Sequence, residues 1–201
     1  MASTNLNFSD LSDENPLLVY AQQYHRAGMC PIPVKPALKE PIHYDWLNLR
    51  ISFGRLADHF LPGRNIGVVL GDASGGLVDV DLDSPEAVML GPALLPPTKF
   101  VFGHPSKPDS HFLYRVAAAP ATKQFKDGET VVELRGNGGF TVAPGSVHEE
   151  TGALIEFNYF NGSDLPSPAQ ADLAELQRAV LKIAIGSVLL RNWAEGTRHA
   201  L

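Results

Sequence analysis

At 201 residues, 44% of them hydrophobic, the chain is long enough to bury one sizeable core or two small ones, and its 18 glycines and 16 prolines predict many turns. Sixteen basic against 22 acidic residues leave a formal charge of −6, which excludes a protein that coats nucleic acid by bulk charge but leaves room for a local basic groove. The single cysteine, Cys30, excludes an intramolecular disulfide and a cysteine-based zinc site and fits a reducing cytoplasm; no stretch has the length of a membrane span, so no membrane partner is expected.

Residues 1–15 are polar and acidic and read as a flexible N-terminal segment. Leu17, Leu18, Tyr20, Ala21 and Tyr24 have helical spacing, and Gly28 is the expected stop. A short strand comes next over 29–34, then the proline-broken loop Lys35–Pro41 with its two lysines, which Trp46 is expected to anchor. The pattern then predicts a short helix over 52–61 and a buried strand from Asn65 ended by Gly71.

The run Leu77-Val78-Asp79-Val80-Asp81-Leu82-Asp83 carries three carboxylates at period 2 inside an apolar stretch, so on a strand they share one face. Carboxylates spaced this closely repel one another, and a hard divalent cation relieves the repulsion. Three alternating acids on a solvent-facing strand are also ordinary, but the polar groups carried by the strands further along the chain favour the metal-site reading. Ser84-Pro85-Glu86 reads as an N-cap with proline at the first helical position, opening a helix over 84–90. A proline-rich bridge over 92–97 leads to strands near 99–103, 111–116, 131–135, 139–143 and 154–158. Pro166 and Pro168 punctuate a linker, and a helix is expected from Ala169 to about Trp193. The plan is α+β with a mostly antiparallel sheet flanked by helices.

Three of these strands carry motifs: Val80-Asp81-Leu82-Asp83, Ser110-His111-Phe112-Leu113-Tyr114 and Val132-Glu133-Leu134-Arg135-Gly136, with the run from Gly138 to His148 after them. In order and interval they resemble the N-terminal domain of bifunctional DNA primase/polymerases, the Prim-Pol branch of the archaeo-eukaryotic primase superfamily. The resemblance runs from about Leu17 to Phe157 and draws weaker support from Lys39, Pro41, Trp46 and Asn65-Ile66-Gly67. The third motif has Glu133 where the family usually has aspartate. Asp79 is an extra acid, so the working pair is Asp79/Asp81 or Asp81/Asp83, and the exit Asp83-Ser84-Pro85-Glu86 favours the second.

The resemblance implies a primase-like fold, with an RRM-like catalytic half and an additional α/β half. It implies template-dependent nucleotidyl transfer with two Mg²⁺ or Mn²⁺ ions on Asp81, Asp83 and Glu133, with Asp79 as a further candidate ligand. His111 would meet the incoming dNTP or NTP, with Ser110, Arg135, Ser146 and His148 as further nucleotide contacts. Lys39, Arg64, Lys107 and Arg115 are the candidates for a DNA template, single-stranded or primed. The implied organisation is a catalytic domain over 16–165 and, over 166–201, a C-terminal helix with the start of a linker to a helicase-type module, as in replication proteins of plasmids and phages. Two other readings use the same residues: an inactive nucleotide- or nucleic-acid-binding module, and a metal-dependent nuclease.

Overall fold

The structure, a computed structural model, describes residues 15–158 and 164–199. The N-terminal segment expected to be flexible therefore lies, but for Asn15, outside the described residues. Helix α1 (Pro16–Arg26) opens with proline at its first position and with the Asn15 side chain accepting from the Leu17 N–H, which satisfies one orphan donor of the first turn. The Asn15 amide also donates to the Phe60 carbonyl at 2.6 Å, tying the start of α1 to the end of the short helix α2 (Leu56–His59). The expected helix over 52–61 is thus shorter, a 3₁₀ turn at Phe53–Arg55 running into α2.

Strands β1 (Cys30–Val34), β2 (Asn65–Val69) and β8 (Phe140–Val142) form a three-stranded antiparallel sheet in that order, with β2 in the middle. The larger sheet contains β3 (Leu77–Leu82), β4 (Val101–His104), β5 (Lys107–Arg115), β6 (Lys123–Asp127), β7 (Glu129–Arg135) and β9 (Glu156–Phe157), in the order β6-β7-β3-β5-β4-β9. Its strand pairs are antiparallel, apart from β10 (Ala169–Gln170), which adds to β5 in parallel where β4 has left it. Gly76, at φ +77°, makes the tight entry into β3, and a Cβ there would lie 2.1 Å from the Val116 carbonyl oxygen, so only glycine fits.

The period-2 alternation of β3 separates two cores. Val78, Val80 and Leu82 pack with Phe112, Tyr114, Val132 and Leu134 beneath helices α3 (Pro85–Leu94) and α4 (Leu173–His199). Leu77 and Leu113, on the opposite face, join Leu17, Tyr24, Ile66, Val68 and Phe102 in a core shared with α1 and β2. Leu176, Ala179, Val180 and Ile183 of α4 are fully or nearly fully buried in the first of these cores, so the helix belongs to the same folded unit as the acidic strand.

Three details depart from the sequence pattern. Helix α3 continues through Pro92 to Leu94, because a proline so close to the end removes a single ladder bond while Gly91 lets the helix lie directly on Leu82. Residues 169–170 pair with Tyr114–Arg115, and the helix starts only at Leu173, where the Asp172 carboxylate accepts from the Glu175 N–H at 2.8 Å. Strand β6 was not expected: Lys123, Gln124, Lys126 and Asp127 are exposed at the sheet edge, and Phe125 is the one apolar residue in the strand.

Candidate active site

Strands β7, β3 and β5 lie side by side, and their register sets the site. Asp81 pairs with Glu133 on one side and His111 on the other; Asp79, one row back on the same face, pairs with Arg135 and Leu113. Asp83 stands at the end of β3, where its N–H donates to the Val131 carbonyl at 2.9 Å. Two groups of side chains result.

The inner group is a charge lattice around a fully buried acid. Asp79 has no exposed surface, and its Oδ2 lies 3.0 Å from His111 Nδ1 and 3.7 Å from Arg135 Nη1. Burial pushes the Asp79 carboxyl up, but the charge and hydrogen bond of His111 together with Arg135 outweigh it and hold the group below the ordinary carboxylate range. Burial pushes the His111 imidazole down, and Asp81 and Asp79 reverse that and raise it. The Phe102 ring stacks on the imidazole at 4.6 Å, fixing its plane. Since Nδ1 is held by Asp79, Nε2 is the nitrogen that can serve a ligand. Arg135 reaches Asp81 Oδ2 and Glu133 Oε2, each at 3.3 Å, and its Nη2 donates to the Phe140 carbonyl at 2.7 Å, so one guanidinium ties the acidic row to β8.

The outer group is acidic and partly open. One oxygen from each of Asp81, Asp83 and Glu133 lies within 4.8 Å of the other two. Asp83 is pushed up to about 6 by burial and by the charges of Asp81 and Glu133, against the pull of Lys107, whose Nζ is 3.4 Å away. Burial and two neighbouring carboxylates both disfavour the ionised form of Asp83, and a bound divalent cation would offset them. An all-oxygen donor set suits Mg²⁺ or Mn²⁺. Gln124 of β6 donates to Glu133 and sets the direction of that carboxylate. These groups form the floor of a cleft of about 290 Å³, also lined by Lys39, His104, Lys107, Phe140, Val142 and His148.

The structure sorts the residues singled out by sequence. Asp81, Asp83, Glu133, His111, Arg135, Ser110, Lys39, Lys107 and His148 all line this cleft. The Ser110 hydroxyl is buried without a hydrogen-bond partner among the described residues. Asp79 stands outside the three-carboxylate cluster and is committed to His111 and Arg135. Ser146 is fully buried: its hydroxyl accepts from the Ile66 N–H at 2.9 Å and donates to the Ile66 carbonyl at 3.1 Å, so it links the loop after β8 to β2. Arg115 donates to the carbonyls of Ala27, Ser74 and Gly75, and Arg64 donates to that of His59, so both guanidinium groups are engaged in holding the fold together. Sequence reasoning passed over Gln124, on the unrecognised edge strand, and His104, which stands in a hairpin with no motif around it.

A comparison with curated proteins finds no match. No helix among the described residues is long and apolar enough to cross a membrane. The family model for the bifunctional DNA primase/polymerase N-terminal domain, Prim-Pol, matches residues 21–176, a span that takes in both sheets and every member of the carboxylate cluster. The chain belongs to the Prim-Pol family, and membership implies nucleotidyl transfer of the primase/polymerase kind.

Proposed function

We propose that this chain extends nucleic acid by template-directed nucleotidyl transfer, with Asp81, Asp83 and Glu133 holding the divalent ions of the reaction and His111 meeting the incoming nucleotide. The observation that carries the reading is the row Glu133–Asp81–His111 across three adjacent strands at the floor of a cleft, inside the span matched by the family. In the reaction a primer hydroxyl attacks the α-phosphorus of a nucleoside triphosphate. A new P–O bond forms, the bond between the α-phosphorus and the bridging oxygen breaks, pyrophosphate leaves, and the hydroxyl proton passes to solvent. Two bound divalent ions would supply stabilisation of the attacking and leaving oxygens.

The chain's own residues divide the remaining work. Asp79 accepts from the Nδ1–H of His111, and in the imidazolium form that Asp81 and Asp79 favour, the Nε2–H is left as a donor for a phosphate oxygen. Phe102 and Asp79 limit the freedom of that ring before any ligand arrives, which lowers the ordering cost of binding. Arg135 braces Asp81 and Glu133 against their mutual repulsion while the metal is absent. With a net charge of −6, template contact falls to local cations, which gives weak binding that declines with salt.

A primer-extension assay with labelled template and Mg²⁺ or Mn²⁺ tests the reading. Lengthened primer is the expected product. Unchanged primer would favour an inactive binding module, and a shortened strand would favour a nuclease.

A further inference from the structure

Lys39, Asp83, His104, Lys107 and His148 line the catalytic cleft and also a second cavity of about 550 Å³ beside it. The two hollows therefore adjoin along a shared wall, and four of its five residues carry cationic or protonatable nitrogens. The His104 and His148 rings stack with centroids 3.9 Å apart and planes inclined at 23°. Each ring has a hydroxyl at Nδ1: Ser106 Oγ at 2.9 Å from His104 and Thr151 Oγ1 at 3.3 Å from His148. With the hydroxyls donating, both protons sit on Nε2, and the pair offers two N–H donors.

The charges that act on His104 come from cationic or protonatable groups. Burial pushes His104 below the ordinary histidine range, and His148, Lys107, His111 and Lys39 all push it further in the same direction. The acids beside the wall are committed or distant in role: Glu149 pairs with Lys39 at 3.0 Å, Glu150 lines only the outer hollow, and Asp83 pairs with Lys107 at 3.4 Å. Once Asp83 serves as a metal ligand, Lys107 gives up part of that partner and is available to another anion.

We propose that this wall is a polyphosphate subsite, in which the His104–His148 stack, with Lys39 and Lys107, takes the terminal phosphates of the incoming nucleoside triphosphate and the pyrophosphate they become. The proposal rests on the nucleotidyl-transfer reading of the carboxylate cluster. Asp83 lines both hollows, so a phosphate chain whose reacting end lies at the carboxylates has its tail directed to the stack. Imidazole N–H and ammonium groups are the donors that suit phosphate oxygens.

The test is calorimetric titration of inorganic pyrophosphate with Mg²⁺ into the parent protein, His104→Ala, His148→Ala and the double variant, alongside the nucleotide KM of each in primer extension. Each single substitution is expected to weaken pyrophosphate binding about tenfold, the usual scale for a hydrogen bond to a charged group. The nucleotide KM should rise by a similar factor while template affinity stays at the parent level. Melting curves identify any variant that does not fold, and His104→Gln, which keeps an N–H donor, then replaces it and should retain part of the binding. Pyrophosphate binding equal to the parent's in a folded double variant would overturn the subsite. Pyrophosphate binding that depends on the stack in a parent that extends no primer would refute the polymerase reading and leave the subsite standing.

Discussion

Strand β3 shows two kinds of surface on one short segment. Val78, Val80 and Leu82 face α3 and α4 and are entirely buried among other apolar side chains. Asp79, Asp81 and Asp83, interleaved with them, face the cleft side and grade from fully buried to partly exposed. The first face contributes stability through removal of apolar surface from water, and the second holds like charges close together at a cost in stability. Asp79 belongs to the second face by position but to the first by behaviour, since its pairing with His111 and Arg135 supports the fold as well as orienting the site.

Substitutions on the two faces should therefore separate activity from stability. Among substitutions that keep the side chain's size, the largest effect is expected at Glu133. Glu133→Gln should lower metal-dependent incorporation by at least about a hundredfold, the scale of removing one charge-stabilising group from an active site. Glu133→Asp should keep part of the activity, because the carboxylate survives on a shorter arm. Incorporation assays with both variants measure this, and a glutamine variant as active as the parent would remove Glu133 from the site.

Asp79→Asn comes next and should blur the two faces, losing about 3 kcal/mol of stability because His111 and Arg135 would keep a buried positive charge with less compensation. The effect should depend on pH. Asp79 is held below its ordinary value, so its contribution is complete above that value and is lost as pH falls through the depressed one. His111 is held above its ordinary value of 6.5, so its contribution is complete below 6.5 and is lost as pH rises through the raised one. The gap in urea unfolding free energy between parent and variant should be widest between those limits and narrow on both sides. A gap independent of pH would contradict the charge lattice.

Val80→Ala, on the helix-covered face, should cost about 2 kcal/mol in the same unfolding experiment, from lost burial and the cavity left beneath α3 and α4. Incorporation at a temperature where the variant is folded should match the parent's. A large loss of activity in well-folded Val80→Ala protein would show that the two faces are not independent.

The same contrast explains what could be read from sequence. The acidic row was legible because alternation places Asp79, Asp81 and Asp83 on one face whatever the partners of the strand are. The different work of Asp79 was not, because only the neighbouring strands decide which of three equivalent acids is buried against a histidine and an arginine. Strand β6 escaped notice because an edge strand of mostly exposed polar residues has no apolar period to detect. Residues 169–171 have a composition that suits a helix, and it is the open edge of β5 that takes Ala169 and Gln170 as a strand. Ser146 resembled a ligand contact because a hydroxyl after Pro144-Gly145 looks the same in sequence whether it serves a phosphate or the Ile66 backbone. His104 carried no sequence signal, since its stacking partner lies on a segment far along the chain.

The central claim is that the carboxylates at the end of β3 hold the metal for nucleotide incorporation without supporting the fold. Primer extension in Mn²⁺ by the parent and by Asp83→Ala, with melting curves taken on the same preparations, tests it most directly. The account predicts lengthened primer from the parent, none from Asp83→Ala, and a metal-free melting temperature for the variant equal to or above the parent's, because one of three mutually repelling carboxylates has been removed. Parent-like extension by a folded Asp83→Ala protein would contradict it.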